Sequence, residues 1–217
     1  ISGTGIWTPP HKISNDELVE SFNQYVDLYN SEHAHEIKDG SIEALDHSSS
    51  EFIEKASGIK NRYVIDKKSL LDPRRMKPQI QARSDDELSF TAEVSVIAAK
   101  QALENANLNP SDIDAVIVSA ANLQRAYPAV AIEVQNELGI EGFAYDMMVG
   151  CSASTFGISN AYCDIKAGKS SKVLVISPEI TSGHNNFKNR DGHFIFGDIC
   201  TAVVIEKDSQ SKNKFKI

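Results

Sequence analysis

The chain has 217 residues, of which 41% are hydrophobic and 24% are charged, and its formal net charge is −8. This length suits one large domain or two small ones with a sizeable core. The acidic balance argues against general nucleic-acid binding, which favours basic surfaces. We expect neither a signal peptide nor a membrane span, because no apolar run is long enough. Three cysteines without a CxxC spacing fit neither a disulfide framework nor a zinc site, and they are typical of the reducing cytoplasm.

The first part of the chain alternates between predicted strands and capped helices. Residues 2–7 predict a strand, the capping box Ser14–Glu17 opens a helix, and a cap in Ser48–Ser50 opens a short helix that ends at a glycine. Residues 59–65 then predict a strand. The segment 66–83 predicts a basic loop or insertion. Its basic residues are Lys67, Lys68, Arg74, Arg75, Lys77 and Arg83.

The rest of the chain continues this alternation. The segment Ser84–Glu87 predicts the cap of a long helix that runs to about Asn107, and Asn109–Asp112 predicts a turn. The remaining predicted elements are helices over 128–138 and 151–167 and strands over 114–120, 143–147, 172–177, 194–196 and 201–206. Strands joined by helices indicate an α/β architecture with a largely buried sheet.

Residues 144–158 form the most informative pattern in the chain. A short apolar strand runs into Gly150 and Cys151, and small residues then open a helix. The first amides of a helix are unpaired donors at the positive end of its dipole, so this position favours a thiolate over a thiol. The small neighbours let a substrate approach the sulfur. The pattern indicates either a nucleophilic cysteine that accepts an acyl group or a small buried cysteine at a tight turn.

Five segments then occur in one order across nearly the whole chain. They are Gly3–Pro9, Ser57–Arg62, Ala126–Ala129, Gly150–Thr155, and Arg190 followed by Phe196–Asp198. Each is a weak signal alone. Together they resemble motifs of the β-ketoacyl-acyl carrier protein synthase III family, among them its nucleophile turn and its Arg…Phe-Gly-Asp signature. This resemblance favours the interpretation of Cys151 as a nucleophile.

The resemblance implies a thiolase-like α/β fold. Such a fold has two similar βαβαβαββ halves with layered helices and a mixed sheet, usually in a homodimer. The chain resembles the N-terminal half, a single domain over 1–217 with 66–83 as a loop insertion. The family's catalytic His and Asn and a glycine amide of its oxyanion hole belong to the C-terminal half. The six histidines here match no family motif, and we expect them at the surface or at caps.

The chemistry that the resemblance implies belongs to fatty-acid or related polyketide synthesis. Cys151 would take an acyl group from acyl-CoA, and malonyl-acyl carrier protein would then lose carbon dioxide and condense with it. CoA enters as a thioester substrate, so we expect no cofactor and no metal. Other thiolase-like CoA enzymes stay open, such as an acyl transferase or a hydroxymethylglutaryl-CoA synthase. A non-catalytic thiolase-like subunit also stays open.

The resemblance also implies binding residues. Phe52 and Arg190 stand where the family sandwiches the adenine of CoA, although each could instead be structural. Tyr127 stands where an aromatic residue reaches across the dimer into the partner's acyl pocket, or it packs locally. The basic segment 66–83 is either a docking surface for an acidic carrier protein or a solvated loop. We expect Cys163 and Cys200 in the core.

Overall fold

The computed structural model describes residues 1–207 and 214–217. The strands are β1 (Gly3–Trp7), β2 (His11–Ser14), β3 (Asn61–Val64), β4 (Ala115–Ala120), β5 (Phe143–Met148), β6 (Lys172–Ile180) and β7 (Asp198–Glu206). The helices are α1 (Asn15–Glu32), α2 (Ala34–Lys38), α3 (Ser50–Ser57), α4 (Lys67–Leu70), α5 (Phe90–Ala106), α6 (Val130–Leu138) and α7 (Ala153–Lys166). Three short 3₁₀ turns span Pro110–Asp112, Gly150–Ser152 and Thr181–Gly183.

The chain divides into two compact units, where the sequence suggested one domain over 1–217. The first unit comprises residues 1–8, 82–180 and 199–217, and the second comprises residues 9–81 and 181–198. The second unit is thus formed by two chain segments that are far apart in sequence.

The first unit contains a five-stranded mixed sheet with the order β1-β7-β6-β4-β5. Strand β4 pairs in parallel with β5 and β6, whereas β1 pairs antiparallel with β7. Every residue of β4 is buried, which explains why all of them except Ser119 are apolar, while β5 at the sheet edge is partly exposed. Helices α5, α6 and α7 pack against the sheet. This arrangement confirms the predicted α/β class.

The second unit has its own core beneath helices α1 and α3 and the antiparallel pair β2–β3. Its largest fully buried side chains include Phe22 and Phe187. The basic segment 66–83 does not run as a plain loop, because it begins with α4 and buries Leu70 and Met76 in this core. The segment is therefore anchored by its apolar residues.

Several local predictions are confirmed. Ser14 and Glu17 form the expected capping box at the start of α1. Helix α3 begins after Ser49, which accepts a hydrogen bond from the amide of Phe52. Gly58 and Gly139 end their helices in the left-handed conformation, which glycine adopts without a steric penalty.

The predicted start of the long helix is wrong. Helix α5 begins at Phe90, and its cap is Ser89 rather than Ser84. Ser84 does bond to the Glu87 carboxylate, but this forms an isolated turn. The amide and hydroxyl of Ser89 both donate to the buried Glu133 on α6, at 2.9 and 2.7 Å. This tertiary contact is absent from the local sequence pattern, and it sets where the helix begins.

The predicted strand over 194–196 is also wrong, because these residues belong to a turn region before β7. Phe194 is buried in the core of the second unit, whereas Ile195 and Phe196 are exposed. The carbonyl of Phe194 accepts a hydrogen bond from the guanidinium of Arg62 instead of a strand partner. Phe194 therefore packs in the core of the second unit, and residues 194–196 form no strand pairing.

Candidate active site

Cys151 lies at the carboxyl end of the parallel strands, between β5 and α7. Strand β5 ends at Met148, and Gly150 has a φ of 58°, a left-handed conformation that turns the chain toward α7. Cys151 occupies the 3₁₀ turn Gly150–Ser152 directly before the helix. Its side chain is exposed, so it is not the small buried cysteine of the alternative interpretation.

The start of α7 is held to the sheet by two hydroxyl contacts. The amide of Ala153 closes the turn by donating to the carbonyl of Gly150. The carbonyl of Ala153 accepts a 2.6 Å hydrogen bond from Ser119 Oγ on β4. Ser154 Oγ donates to Ser177 Oγ on β6 over 2.8 Å. Both strand serines are buried, and the turn that carries the thiol is therefore tied to two neighbouring strands.

Sequence reasoning missed Ser119 and Ser177. The available signal was a hydroxyl that directly follows an apolar run in each of two predicted strands, residues 115–118 and 173–176. A buried hydroxyl needs a partner, so its position at the strand end pointed to a contact with the element above it.

The other two cysteines differ in accessibility. Cys163 is exposed on α7, so its predicted place in the core is wrong. It lies on a helix that buries only Ala153, Gly157 and Ala161, and the rest of the helix surface is open or half open. Cys200 is buried as predicted, and burial raises the pKa of its thiol to about 12. Cys163 therefore provides an exposed reference thiol on α7, the helix that follows the turn of Cys151.

Phe52 and Arg190 are brought together in the second unit. The guanidinium carbon of Arg190 lies 4.3 Å from the centroid of the Phe52 ring. Arg190 Nε also donates to the carbonyl of His47 over 2.8 Å, and Phe52 meets Phe194 edge to face at 5.8 Å. Phe52 is half-buried against the core of the unit. The pair thus combines a structural role with a stacking surface of the kind that binds flat aromatic groups.

The expectation of surface or capping histidines is wrong for His193. Its ring is fully buried, stacks on Phe22 at 4.5 Å and meets Phe194 edge to face at 5.4 Å. Its Nδ1 lies 2.8 Å from the carbonyl of Arg190. Because a carbonyl only accepts, Nδ1 carries the proton. Burial lowers the pKa of His193 to about 4. The signal available in the sequence was its place inside the Arg…Phe-Gly-Asp segment.

Arg62 is a buried cation in this unit. It donates to the carbonyls of Phe194 and Ser14 and to the side-chain oxygen of Asn15, the last over 2.6 Å. Burial lowers its pKa to about 10. These bonds join the start of α1 to the turn before β7. Arg62 therefore holds the unit together, which explains an arginine in the Ser57–Arg62 motif.

Tyr127 projects from the loop before α6, and its side chain is 92% exposed. The loop itself is anchored beside it. Arg125 lies 3.1 Å from the Glu133 carboxylate, with both side chains largely buried, and it also donates to the carbonyl of Ser84. Glu133 in turn accepts both bonds from Ser89. The loop is therefore held in place at Arg125, while the nearby ring of Tyr127 is exposed.

Neither a metal cluster nor a membrane-spanning helix is found in the described part of the chain. Within residues 1–207 and 214–217, no group of three or more His, Cys, Asp or Glu side chains could hold a metal ion. No helix in the same ranges is both long and apolar enough to cross a membrane.

Comparison with known proteins decides the family. The family model for 3-oxoacyl-acyl-carrier-protein synthase III matches residues 145–217, which include Cys151 and the Phe-Gly-Asp segment. A β-ketodecanoyl-acyl-carrier-protein synthase of Pseudomonas aeruginosa is 53% identical over 201 residues, which are 92% of this chain and 57% of that protein. The chain belongs to the 3-oxoacyl-acyl-carrier-protein synthase III family.

Two further relatives agree with this synthase III assignment. A β-ketoacyl-acyl-carrier-protein synthase III of Agrobacterium fabrum is 34% identical over 166 residues, 76% of this chain and 45% of that protein. The crystal structure of 3-oxoacyl-acyl-carrier-protein synthase III from Aquifex aeolicus superimposes with a TM-score of 0.70 at 26% identity, over 96% of this chain and 53% of that one. The thiolase-like fold is thereby confirmed. The chain spans about half the length of the relatives it matches.

Proposed function

We propose that Cys151 is the acyl-accepting nucleophile of a ketoacyl synthase III-type condensing enzyme. The observation that carries the proposal is the exposed thiol in the turn between β5 and α7, within a chain of this family. The turn lies at the positive end of the α7 dipole, and the hydroxyl of Ser152 does not cap the helix. Negative charge on the sulfur is favoured at such a position.

The first stage is an acyl transfer. The Cys151 thiolate attacks the carbonyl carbon of an acyl-CoA thioester and forms a new carbon–sulfur bond. The bond to the CoA sulfur breaks, and CoA leaves as a thiolate that takes up a proton. A thiolate suits both this stage and the next, because it is a good nucleophile and a good leaving group.

The second stage belongs to the whole protein. Malonyl-acyl carrier protein loses carbon dioxide, its carbanion attacks the acyl-cysteine carbonyl, and the thiolate of Cys151 leaves. The product is a 3-oxoacyl-acyl carrier protein. The developing enolate needs hydrogen-bond donors, which the resemblance assigns to a His and an Asn of the family's other half. We therefore expect the 217-residue chain to perform the first stage at most.

The acyl group that we propose has eight carbons. The relative at 53% identity is named for a ten-carbon 3-oxoacyl product. Condensation with malonyl adds two carbons after the loss of carbon dioxide, so the primer of such a product has eight. An octanoyl thioester is thus the first donor to test.

We propose that the adenine of CoA binds between the side chains of Phe52 and Arg190. Their present separation of 4.3 Å leaves no room for a base between them. A base between ring and guanidinium needs two contacts of about 3.5 Å each, so Arg190 must release Phe52 and the carbonyl of His47 when CoA enters. Replacing Arg190 by alanine should weaken CoA binding without changing the maximal acylation rate.

The remaining parts of the proposal concern partners. We propose a homodimer in which Tyr127 enters the partner's acyl pocket, which agrees with its 92% exposure. The acyl carrier protein would dock by charge, and the basic segment 66–83 is one surface that could attract it. We also propose that the protein acts in the cytoplasm, which agrees with its free cysteines.

The test is intact mass before and after mixing with acyl-CoAs from two to twelve carbons, followed by mapping of the adduct. It is run on the 217-residue chain and on the full-length natural protein. Cys151→Ser is the test variant, and Cys163→Ser is the matched control because that thiol is also exposed and lies on the helix that follows the Cys151 turn. We expect an octanoyl adduct that Cys151→Ser abolishes and Cys163→Ser retains.

Other outcomes are informative. If an acyl-CoA of another chain length gives the most complete acylation of Cys151, the proposed substrate would be corrected and the proposed reaction supported. A full-length protein without any adduct, or with equal adducts on Cys151 and Cys163, would contradict the enzyme and favour a non-catalytic subunit.

A further inference from the structure

Two buried serines lie directly beneath the turn that carries Cys151. Ser119 on β4 is fully buried and Ser177 on β6 is nearly so. Ser119 is the one polar residue of β4, and Ser177 follows the apolar run 173–176 of β6. A buried hydroxyl without a partner would be destabilising. Each has one partner among the described residues, and that partner lies in the first turn of α7.

The contact of Ser119 acts on the residue that closes the cysteine turn. Ala153 donates its amide to Gly150 across the turn, and its carbonyl accepts the 2.6 Å bond from Ser119 Oγ. A carbonyl oxygen has two lone pairs, so this bond adds to the one that the helix itself provides. Ser119 therefore restrains the residue whose amide defines the conformation around Cys151.

Close packing makes this restraint rigid. A Cβ atom added at Gly157 would lie 3.0 Å from Ser119 Cβ and 2.8 Å from Val175 Cγ1. Helix α7 thus rests directly on the two strands. With Ser154 bonded to Ser177 over 2.8 Å, the first turn of the helix is fixed at two points on different strands.

We propose that Ser119 and Ser177 are positioning residues that hold the Cys151 turn in the orientation needed for acyl transfer. The inference rests on the proposed function, because it concerns the same thiol. Ser119 acts through the backbone carbonyl of Ala153, and Ser177 acts through the side chain of Ser154. Misplacement of a reacting group by about 1 Å is enough to slow a reaction greatly.

The experiment measures the rate of octanoyl transfer from octanoyl-CoA to Cys151 by rapid-quench intact mass, in the full-length natural protein. Ser119→Ala is compared with Ser95→Ala. Ser95 is also fully buried and also donates a 2.6 Å bond to a helix carbonyl, that of Thr91 on α5. Both variants therefore lose a bond from a buried hydroxyl to a helix carbonyl, but only Ser119→Ala loses one that joins a strand to another element. Ser119→Cys keeps the size of the side chain and a weak donor.

We expect Ser119→Ala to lower the maximal acylation rate about tenfold with an unchanged half-saturating octanoyl-CoA concentration. Ser177→Ala should lower it about threefold, since Ser154 can turn to water. Ser119→Cys should recover part of the rate, and Ser95→Ala should leave it unchanged. The alkylation rate of Cys163, measured in parallel with iodoacetamide, should be the same in all variants.

A Ser119→Ala rate no slower than that of Ser95→Ala would overturn the inference and leave the proposed function intact. The same holds if Ser119→Ala raises the half-saturating concentration alone. Failure of the unmodified protein to form any Cys151 adduct would overturn the proposed function and this inference together.

Discussion

His193 makes the stability of the chain sensitive to mild acid. Its ring is fully buried between Phe22 and Phe194, and its Nε2 has no hydrogen-bond partner among the described residues. Burial is the main reason that its pKa falls to about 4, and the nearby charge of Arg62 also disfavours the protonated ring. A histidine in the unfolded chain titrates near 6.5.

The sign of the effect follows from proton binding. Between about pH 4 and 6.5 the unfolded state binds more protons at this position than the folded state, so stability rises with pH in this window. The contribution is fully present above about 6.5 and is lost as the pH falls toward 4. The difference between the two pKa values corresponds to about 3 kcal/mol of unfolding free energy.

The assay is urea unfolding followed by circular dichroism, at several values between about pH 7 and pH 4. His193→Phe is the comparison, because a phenyl ring fills a similar space and can stack on Phe22. We expect the wild type to lose about 3 kcal/mol more than the variant over this range. Buried carboxyl groups such as Asp198 titrate equally in both proteins and cancel in the difference. Parallel pH profiles would refute the reasoning from burial.

Three further substitutions test the packing of the first unit. Gly157→Ala forces a Cβ within 2.8 Å of a Val175 methyl, so it should lower the free energy of unfolding by about 1–3 kcal/mol in urea titrations. In Gly5→Ala the added Cβ would clash with the backbone of α5, because it would lie 1.9 Å from the carbonyl oxygen of Ala98. We expect a larger loss there, of about 3 kcal/mol or more, visible as a lower melting temperature. Arg125→Met leaves the buried Glu133 carboxylate without its cation, which should cost about 3 kcal/mol. A double-mutant cycle with Glu133→Gln should then give a favourable coupling energy, and additive effects would contradict the ion pair.

Local patterns in the sequence predicted the elements that local physics controls. The capping box at Ser14 and the helix stop at Gly139 depend on atoms within a few residues, and both are confirmed. The apolar run of β4, with five apolar residues out of six, predicted a buried strand of a parallel sheet. The strand-to-helix turn at Cys151 followed from a glycine, a thiol and small residues in succession, whereas the exposure of the thiol was left open by that pattern.

Contacts between distant segments decided the rest. The hydrogen bond from Ser89 to Glu133 places the cap of α5 at Ser89 rather than at Ser84. The Phe194 carbonyl bonds to Arg62 instead of to a neighbouring strand. The burial of His193 and the anchoring of the Cys151 turn by Ser119 likewise depend on partners far along the chain.

The sequence by itself determined most of the element order, the family motifs and the position of the candidate nucleophile, because each depends mainly on neighbouring residues. Only the tertiary structure decided which polar groups are buried and which partners satisfy them. Burying a hydroxyl or an imidazole costs free energy that a hydrogen-bond partner offsets, and the packing of separate strands and helices decides whether such a partner is present.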